Sequence, residues 1–314
     1  MSELSDKIRS EFKKADDERD ALMNTPEDIE RWDNIVYGHD DREMQKLDVY
    51  RPKQAQGEDL PVIISVHGGA WMYGDKERYQ YYCMSLAQRG FAVVNFTYRL
   101  APESKFPAQL EDVNLVCKWV MKRAGRFHFD TERIFAVGDS AGAHLLGLYA
   151  AICTNPAYAA KYDFAVPEGF ALTAIALNCG VYRIQREGSD NMTTLIMKEL
   201  LPEGGTEEEL ESIDVLNGIT DVYPPVFCMT SVADHQKAQA PALVQKLMEN
   251  NVPFVYRVFG DKVNKLGHVF HCDVKTIDAA QCNDAECDFF QGVLFLIVRH
   301  SGKIYYGTMQ SMLL

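Results

Sequence analysis

Several short, nearly continuous apolar runs alternate along this chain with longer stretches of helical periodicity, and that alternation restricts the fold more than any other feature. The runs Val62–Val66, Phe91–Phe96, Ile134–Val137, Ala174–Leu177, Val226–Met229 and Phe254–Phe259 carry few polar interruptions. A strand can be apolar on both faces only if both are covered, as in a parallel sheet flanked by helices. Helix-like segments lie between or after them at Tyr79–Arg89, Ala108–Ala124, Ala141–Cys153, Gln236–Asn250 and Ala285–His300. Strand alternating with helix specifies a doubly wound α/β sheet with reactive groups at the C-terminal strand ends. Two earlier runs, Asn34–Tyr37 and Leu47–Tyr50, are joined by too short a polar stretch for a crossover helix, so an antiparallel start is expected.

Two segments stand outside this pattern. Residues 2 to 34 place Leu4, Ile8, Phe12, Ala15 and Leu22 at helical spacing among dense charge, which predicts an amphipathic helix. Residues 181 to 222 are too long for a plain crossover and hold a helix-like Asn191–Leu201, then PEGG and the acidic TEEELE. The expected organisation is a cap from residues 1–34, a catalytic domain over 35–314, and a cap insertion at about 181–222.

The chemistry starts at Ile134–Val137, which runs into Gly138-Asp139-Ser140-Ala141-Gly142 and then an apolar helix-like stretch. G-x-S-x-G between strand and helix is the setting of a nucleophile elbow, in which small flanking residues let neighbouring backbone pass a strained serine. Ser140 is therefore the candidate nucleophile, and Asp139 is read as structural. Val62–Val66 ends in His67-Gly68-Gly69-Ala70-Trp71, where bare backbone N–H groups could meet a ligand. Gly68, Gly69 and Ala70, with the N–H of Ala141, are the expected oxyanion donors. His67 and Trp71 are placed beside the substrate: His67 as a hydrogen-bonding residue of the turn, Trp71 as an acyl-pocket wall or a packed core residue.

In the order Ser, Asp/Glu, His, a base must follow the late strands. Of His235, His268, His271 and His300, His268 sits in a loop just beyond Phe254–Phe259 and is the preferred base. His271 is the second choice or a supporting group, and His300 falls on a helix. Asp234 ends the segment Val226–Met229-Thr-Ser-Val-Ala and is the expected orienting acid. Asp221 and Asp261 read as solvated loop carboxylates.

These residues resemble the hormone-sensitive-lipase-like group of α/β-hydrolase carboxylesterases. HGGAW (His67–Trp71), TYRLAPESKFPAQLEDV (Thr97–Val113), GDSAG (Gly138–Gly142), the Asp234 strand end and His268-Val269-Phe270 carry the likeness. The resemblance implies an α/β-hydrolase fold with a mostly parallel eight-stranded sheet flanked by helices. It also implies a helical cap from the N-terminus and from an insertion after strand six, and oxyanion donors at Gly69, Ala70 and Ala141. The function it implies is that of a serine carboxylesterase cleaving small or short-chain acyl esters, acetylated sugars among them, through an acyl-enzyme. The Tyr98–Glu103 block is scaffold in that group. Ala70 stands where the group usually has a third glycine, Ala143 where a glycine is frequent, and His235 beside Asp234 is atypical. An amidase or peptidase of the same fold and a non-catalytic small-molecule receptor are the rival readings.

The remaining expectations come from composition. Forty-five acidic against 32 basic residues leave a net charge of −13, which disfavours nucleic acid and anionic membranes as partners. The opening MSELSDKIRSEFKK lacks the apolar core of a signal peptide, and the longest apolar stretch, Gly292 to Val298, is too short to span a bilayer. Eight scattered cysteines without a CxxC spacing read as reduced buried thiols of a cytoplasmic protein. Neither metal nor cofactor is expected, including at His271, Cys272, Cys282 and Cys287. The apolar segment Phe289–Val298 and the tail Ile304–Leu314 suit a homodimer contact or a buried helix equally.

Overall fold

The computed structural model describes residues 2–186, 188 and 191–299, with side chains described as far as Val293. His300 and the tail Ile304–Leu314 lie outside the described residues. A helix α1 (Glu3–Asp20) opens the chain, followed by strands β1 (Ile29–Val36), β2 (Lys46–Pro52) and β3 (Leu60–Val66). Then come α2 (Lys76–Ala87), β4 (Ala92–Phe96), α3 (Ala108–Phe127), β5 (Phe129–Asp139), α4 (Ala141–Thr154) and a single turn α5 (Pro156–Ala159). After β6 (Ala174–Asn178) three short helices follow, α6 (Met192–Leu200), α7 (Glu207–Ser212) and α8 (Val215–Gly218). The chain continues through β7 (Val226–Ser231), α9 (Ala240–Glu249), β8 (Phe254–Phe259) and α10 (Ile277–Arg299).

The eight strands form one sheet in the order β1-β2-β4-β3-β5-β6-β7-β8. Pairings β1–β2 and β2–β4 are antiparallel, and every pairing from β4 through β8 is parallel. β4, β6 and β7 are buried at every position, as their unbroken apolar runs predicted, because helices cover both faces. β8, at the edge, is only partly buried.

The amphipathic helix is shorter than its apolar spacing suggested. It stops at Asp20, Leu22 takes a left-handed φ of 69°, and Pro26 breaks the intervening turn. Residues 29–36, read from sequence as helix almost to their end, form β1 against β2 instead. Pairing wins there because Ile29 finds a buried place against the sheet. The register shifts between Trp32 and Ile35, where Asn34 has φ 59° and gives its N–H to Asp48 Oδ1 at 2.8 Å.

One buried polar group under the sheet makes stability depend on pH. Glu286 of α10 accepts from Tyr82 at 2.8 Å and from Asn178 Nδ2 at 2.6 Å. Burial pushes its carboxyl up to about 7, the two hydrogen bonds opposing that shift only in part. Between its ordinary value near 4.5 and 7, the folded chain holds a proton that the unfolded chain releases, so this group lowers stability as pH rises through that window. Glu286→Gln is expected to flatten that part of the pH–stability profile, read from thermal melts at pH 5 and pH 8. An unchanged slope would show that Glu286 is ionised throughout.

Candidate active site

The serine elbow forms where β5 ends. Ser140 has φ 51° and ψ −118°, outside the favourable wells for a residue with a side chain, and it caps α4. Its N–H donates to Asn178 O at 3.0 Å, and its carbonyl accepts from His144 N at 3.2 Å, so both neighbours hold the turn. The flanking glycines are required by contact rather than by dihedral. A Cβ on Gly142 would stand 2.0 Å from Val66 O, and one on Gly138 would stand 2.6 Å from Gly142 O.

The turn after β3 is equally confined. Gly69 has φ 118°, and a Cβ there would lie 2.0 Å from Tyr73 O. Ala70 and Trp71 also adopt positive φ, 53° and 60°, which explains why a glycine is common at position 70 in the resembling group. Among the described residues, the amides of Gly69, Ala70 and Ala141 donate to no protein acceptor. All three residues line one cavity of about 700 Å³ with Ser140 and His268.

Gly68 is a correction. Its amide, expected in the oxyanion set, donates instead to the Tyr79 hydroxyl at 2.9 Å, and that hydroxyl donates to Asp139 Oδ2 at 2.8 Å. Burial pushes the Asp139 carboxyl up to about 6 against the Tyr79 bond. Tyr79 sits in α2, eleven residues beyond Gly68, and nothing local in the sequence announces it. His67 keeps the hydrogen-bonding place in the turn that the sequence suggests, but its placement beside the substrate is corrected. It is wholly buried and absent from the cavity wall, its Nδ1 faces Gly68 O at 2.7 Å, and its ring stacks on Tyr98 at 3.9 Å. Burial pushes its pKa down to about 4, so it is a neutral packing group. Trp71 does reach the cavity and also packs edge-on against His144 at 5.2 Å, so wall and core roles coincide.

On the far side, β7 and β8 deliver the other two groups. Asp234 lies in the turn after β7, and its Oδ1 meets His268 Nδ1 at 2.7 Å. Thr230 Oγ1 donates to Asp234 Oδ2 at 2.7 Å, and the Gln236 amide donates to Oδ1 at 2.8 Å. Burial alone would raise this carboxyl, but the bonds from His268, Gln236 and Thr230 outweigh it and bring its pKa down to about 2. With a carboxylate against Nδ1, that nitrogen carries the ring proton and Nε2 is left as the acceptor. Nothing in the sequence around Asp234 signals the Thr230 and Gln236 contacts.

The competing candidates fall elsewhere. His271 is buried, edge-on to Tyr82 at 5.0 Å, with its pKa pushed down to about 3 by burial and by nearby His268. Asp261 caps its own loop by accepting from Val263 and Asn264 amides, and Asp221 is exposed. His235 lines the cavity with its ring centroid 4.2 Å from that of His268. Cys179, Asp234 and His268 hold ligand-type atoms within 4.8 Å of one another, but the Asp234–His268 hydrogen bond already occupies two of them. All eight cysteines are free thiols. No helix among the described residues is long and apolar enough to cross a membrane.

The cavity roof comes from the two segments set apart in the sequence: Phe12, Ala15, Asp16 and Arg19 of α1, and Met192, Thr193 and Ile196 at the start of α6. Ser2 Oγ donates to Glu199 Oε2 at 2.6 Å and ties the two together.

A mostly parallel eight-stranded sheet, a strained serine between β5 and α4, and an aspartate–histidine pair beyond β7 and β8 define an α/β-hydrolase. Residues 47–247 match the BD-FAE family, and the chain belongs to it. Esterase LipC of Mycobacterium tuberculosis is 33% identical over 149 residues, covering 47% of this chain and 35% of that protein. Esterase LipQ of the same organism is 34% identical over 166 residues, covering 52% and 38%. The chain thus spans little more than a third of these relatives. Esterase B of Lactobacillus rhamnosis, solved with an inhibitor bound, superposes with a TM-score of 0.86 at 23% identity, over 96% of this chain and 100% of that one. That likeness extends the shared fold over nearly the whole chain.

Proposed function

We propose that the protein is a serine carboxylesterase that cleaves small or short-chain acyl esters through an acyl-enzyme. The observation that carries this reading is His268, held by Asp234 at 2.7 Å, facing one cavity with Ser140 and three undonated amides. His268 Nε2 takes the proton of Ser140 Oγ as that oxygen attacks the ester carbonyl carbon. Asp234, ionised with a pKa near 2, fixes the imidazole tautomer and stabilises its charged form. The amides of Ala141, Gly69 and Ala70 receive the oxyanion, each such donor worth about 3 kcal/mol in the transition state. The alcohol leaves with the proton from His268, and a water activated by the same imidazole then releases the acid.

Relatives named as esterases support the ester reading, and a related esterase B structure carries a tributyrin phosphonate. A cavity of about 700 Å³ suits short acyl chains, and Gln236, Gln239, Arg183 and His235 on its wall suit an acetylated sugar as the alcohol part. The complete serine–histidine–aspartate set weighs against a receptor that only binds. The amidase alternative attacks through the same groups and is separated by rate. p-Nitrophenyl acetate and butyrate are expected to turn over, with p-nitroacetanilide at least about 10³ slower in kcat/KM. Comparable rates for ester and anilide would assign an amidase.

A further inference from the structure

We propose that α1 sets the geometry of the oxyanion turn as well as roofing the cavity, with Arg9, Asp16 and Tyr73 as positioning residues. This rests on the esterase reading and concerns the same site. The turn from Gly69 to Gly74 holds four residues at positive φ: Gly69, Ala70, Trp71 and Gly74. Such a backbone persists only where its surroundings over-determine it. Part of the restraint is internal, since the amides of Met72 and Tyr73 donate to Gly69 O at 3.1 and 2.9 Å. Those bonds place Gly69 and Ala70 relative to residues 72 and 73 but do not fix 72 and 73 in the molecule.

The fully buried side chain of Met72 is one anchor, and α1 adds bonds to the main chain and to Tyr73. Arg9 Nε donates to Met72 O at 2.9 Å, while its Nη2 donates to Ala101 O at 3.1 Å. Ala101 N in turn donates to Trp71 O at 2.9 Å, so one guanidinium joins the turn to the loop that supports it. Both Nη atoms also bind Glu103, at 2.9 and 2.6 Å, which holds the guanidinium plane. Two turns further along α1, Asp16 Oδ2 accepts from the Tyr73 hydroxyl at 2.9 Å. Phe12 packs edge-on to the Tyr73 ring at 5.8 Å. The helix is anchored at its far end, where Arg19 Nη2 donates to Arg78 O at 2.6 Å and Asp17 accepts from Arg78 at 2.7 Å. Contacts from α1 therefore grip residues 72 and 73, next to the amides of Gly69 and Ala70. A helix acting only as a lid would need none of these bonds to main-chain oxygens beneath it.

The test uses the full-length protein, p-nitrophenyl acetate as substrate and a short trifluoromethyl ketone as the tetrahedral probe. Tyr73→Phe keeps the ring on Phe12 and removes only the bond to Asp16; Arg9→Met removes the main-chain contacts. Each is expected to lower kcat roughly tenfold, with KM within about twofold and the ketone Ki raised by a matching factor. A raised KM with kcat and the ketone Ki intact would assign α1 to lid duty alone and overturn the proposal. Should Arg9→Met fail to fold, Tyr73→Phe decides the matter by itself. A wild type that cleaves no ester sinks the esterase reading and this proposal together; unchanged variants in an active wild type sink this proposal alone.

Discussion

Ser140→Ala is expected to lower kcat for p-nitrophenyl butyrate by about 10⁶ while leaving the fold intact, the loss seen when a hydrolase of this design loses its nucleophile. The size follows from what the hydroxyl does. Without Oγ there is no acyl-enzyme, and the undonated amides of Gly69, Ala70 and Ala141 can assist only the slower direct attack of water. Residual turnover must come from water attacking a substrate that is merely held in place. The fold should tolerate the change, because Ser140 secures its turn through backbone bonds to Asn178 and His144, which alanine keeps. The measurement is steady-state hydrolysis alongside circular dichroism. Activity within tenfold of wild type in a folded variant would remove Ser140 from the chemistry.

Asp234→Asn is expected to lower kcat by about 10⁴, the second largest effect, through the tautomer of a neighbour. The carboxylate now accepts three bonds, from His268 Nδ1, Thr230 Oγ1 and the Gln236 amide. The Gln236 amide and the His268 bond share Oδ1, which requires an oxygen there. In the asparagine variant the Gln236 amide keeps the carbonyl oxygen toward His268 and the amide nitrogen turns to Thr230, whose hydroxyl can accept. What is lost is the negative charge that holds the Nδ1–H tautomer firmly and stabilises the imidazolium formed when His268 takes the Ser140 proton. The loss should appear in kcat with KM nearly constant, and the melting temperature near neutral pH should also fall, because the depressed carboxyl stabilises the fold there. A fall of less than tenfold would mean that His268 keeps its tautomer without help.

The parallel core and the serine elbow were legible because each is dictated locally. A strand buried on both faces must be apolar at every position, and β4, β6 and β7 are. A serine held at φ 51° needs small neighbours, and Gly138 and Gly142 sit where any Cβ would strike backbone. Asp234 and His268 could be brought together from chain order and loop position, and the fold places them in a 2.7 Å hydrogen bond. What stayed hidden depended on partners distant in sequence. Gly68 looked identical to Gly69 until the Tyr79 hydroxyl, presented from α2, took its amide. His67 could be read as a hydrogen-bonding residue of the turn, but its removal from the cavity depends on the Tyr98 ring stacked on it, which nothing nearby signals. β1 was obscured because Leu22 keeps the helical spacing after the helix has already ended, and only pairing with β2 reveals the strand. The contacts of α1 with Met72 and Tyr73 are likewise unreadable in sequence, since Arg9 and Glu103 meet only in the folded chain.

The most direct measurement is the site of covalent capture by a short alkyl phosphonate, read as intact mass and then by peptide mapping. One phosphonyl group per chain, carried by the Gly138–Gly142 segment on Ser140 and acquired far more slowly by His268→Ala, is the predicted result. A stable adduct on any other residue, or an active enzyme that the phosphonate neither inhibits nor modifies, would contradict it.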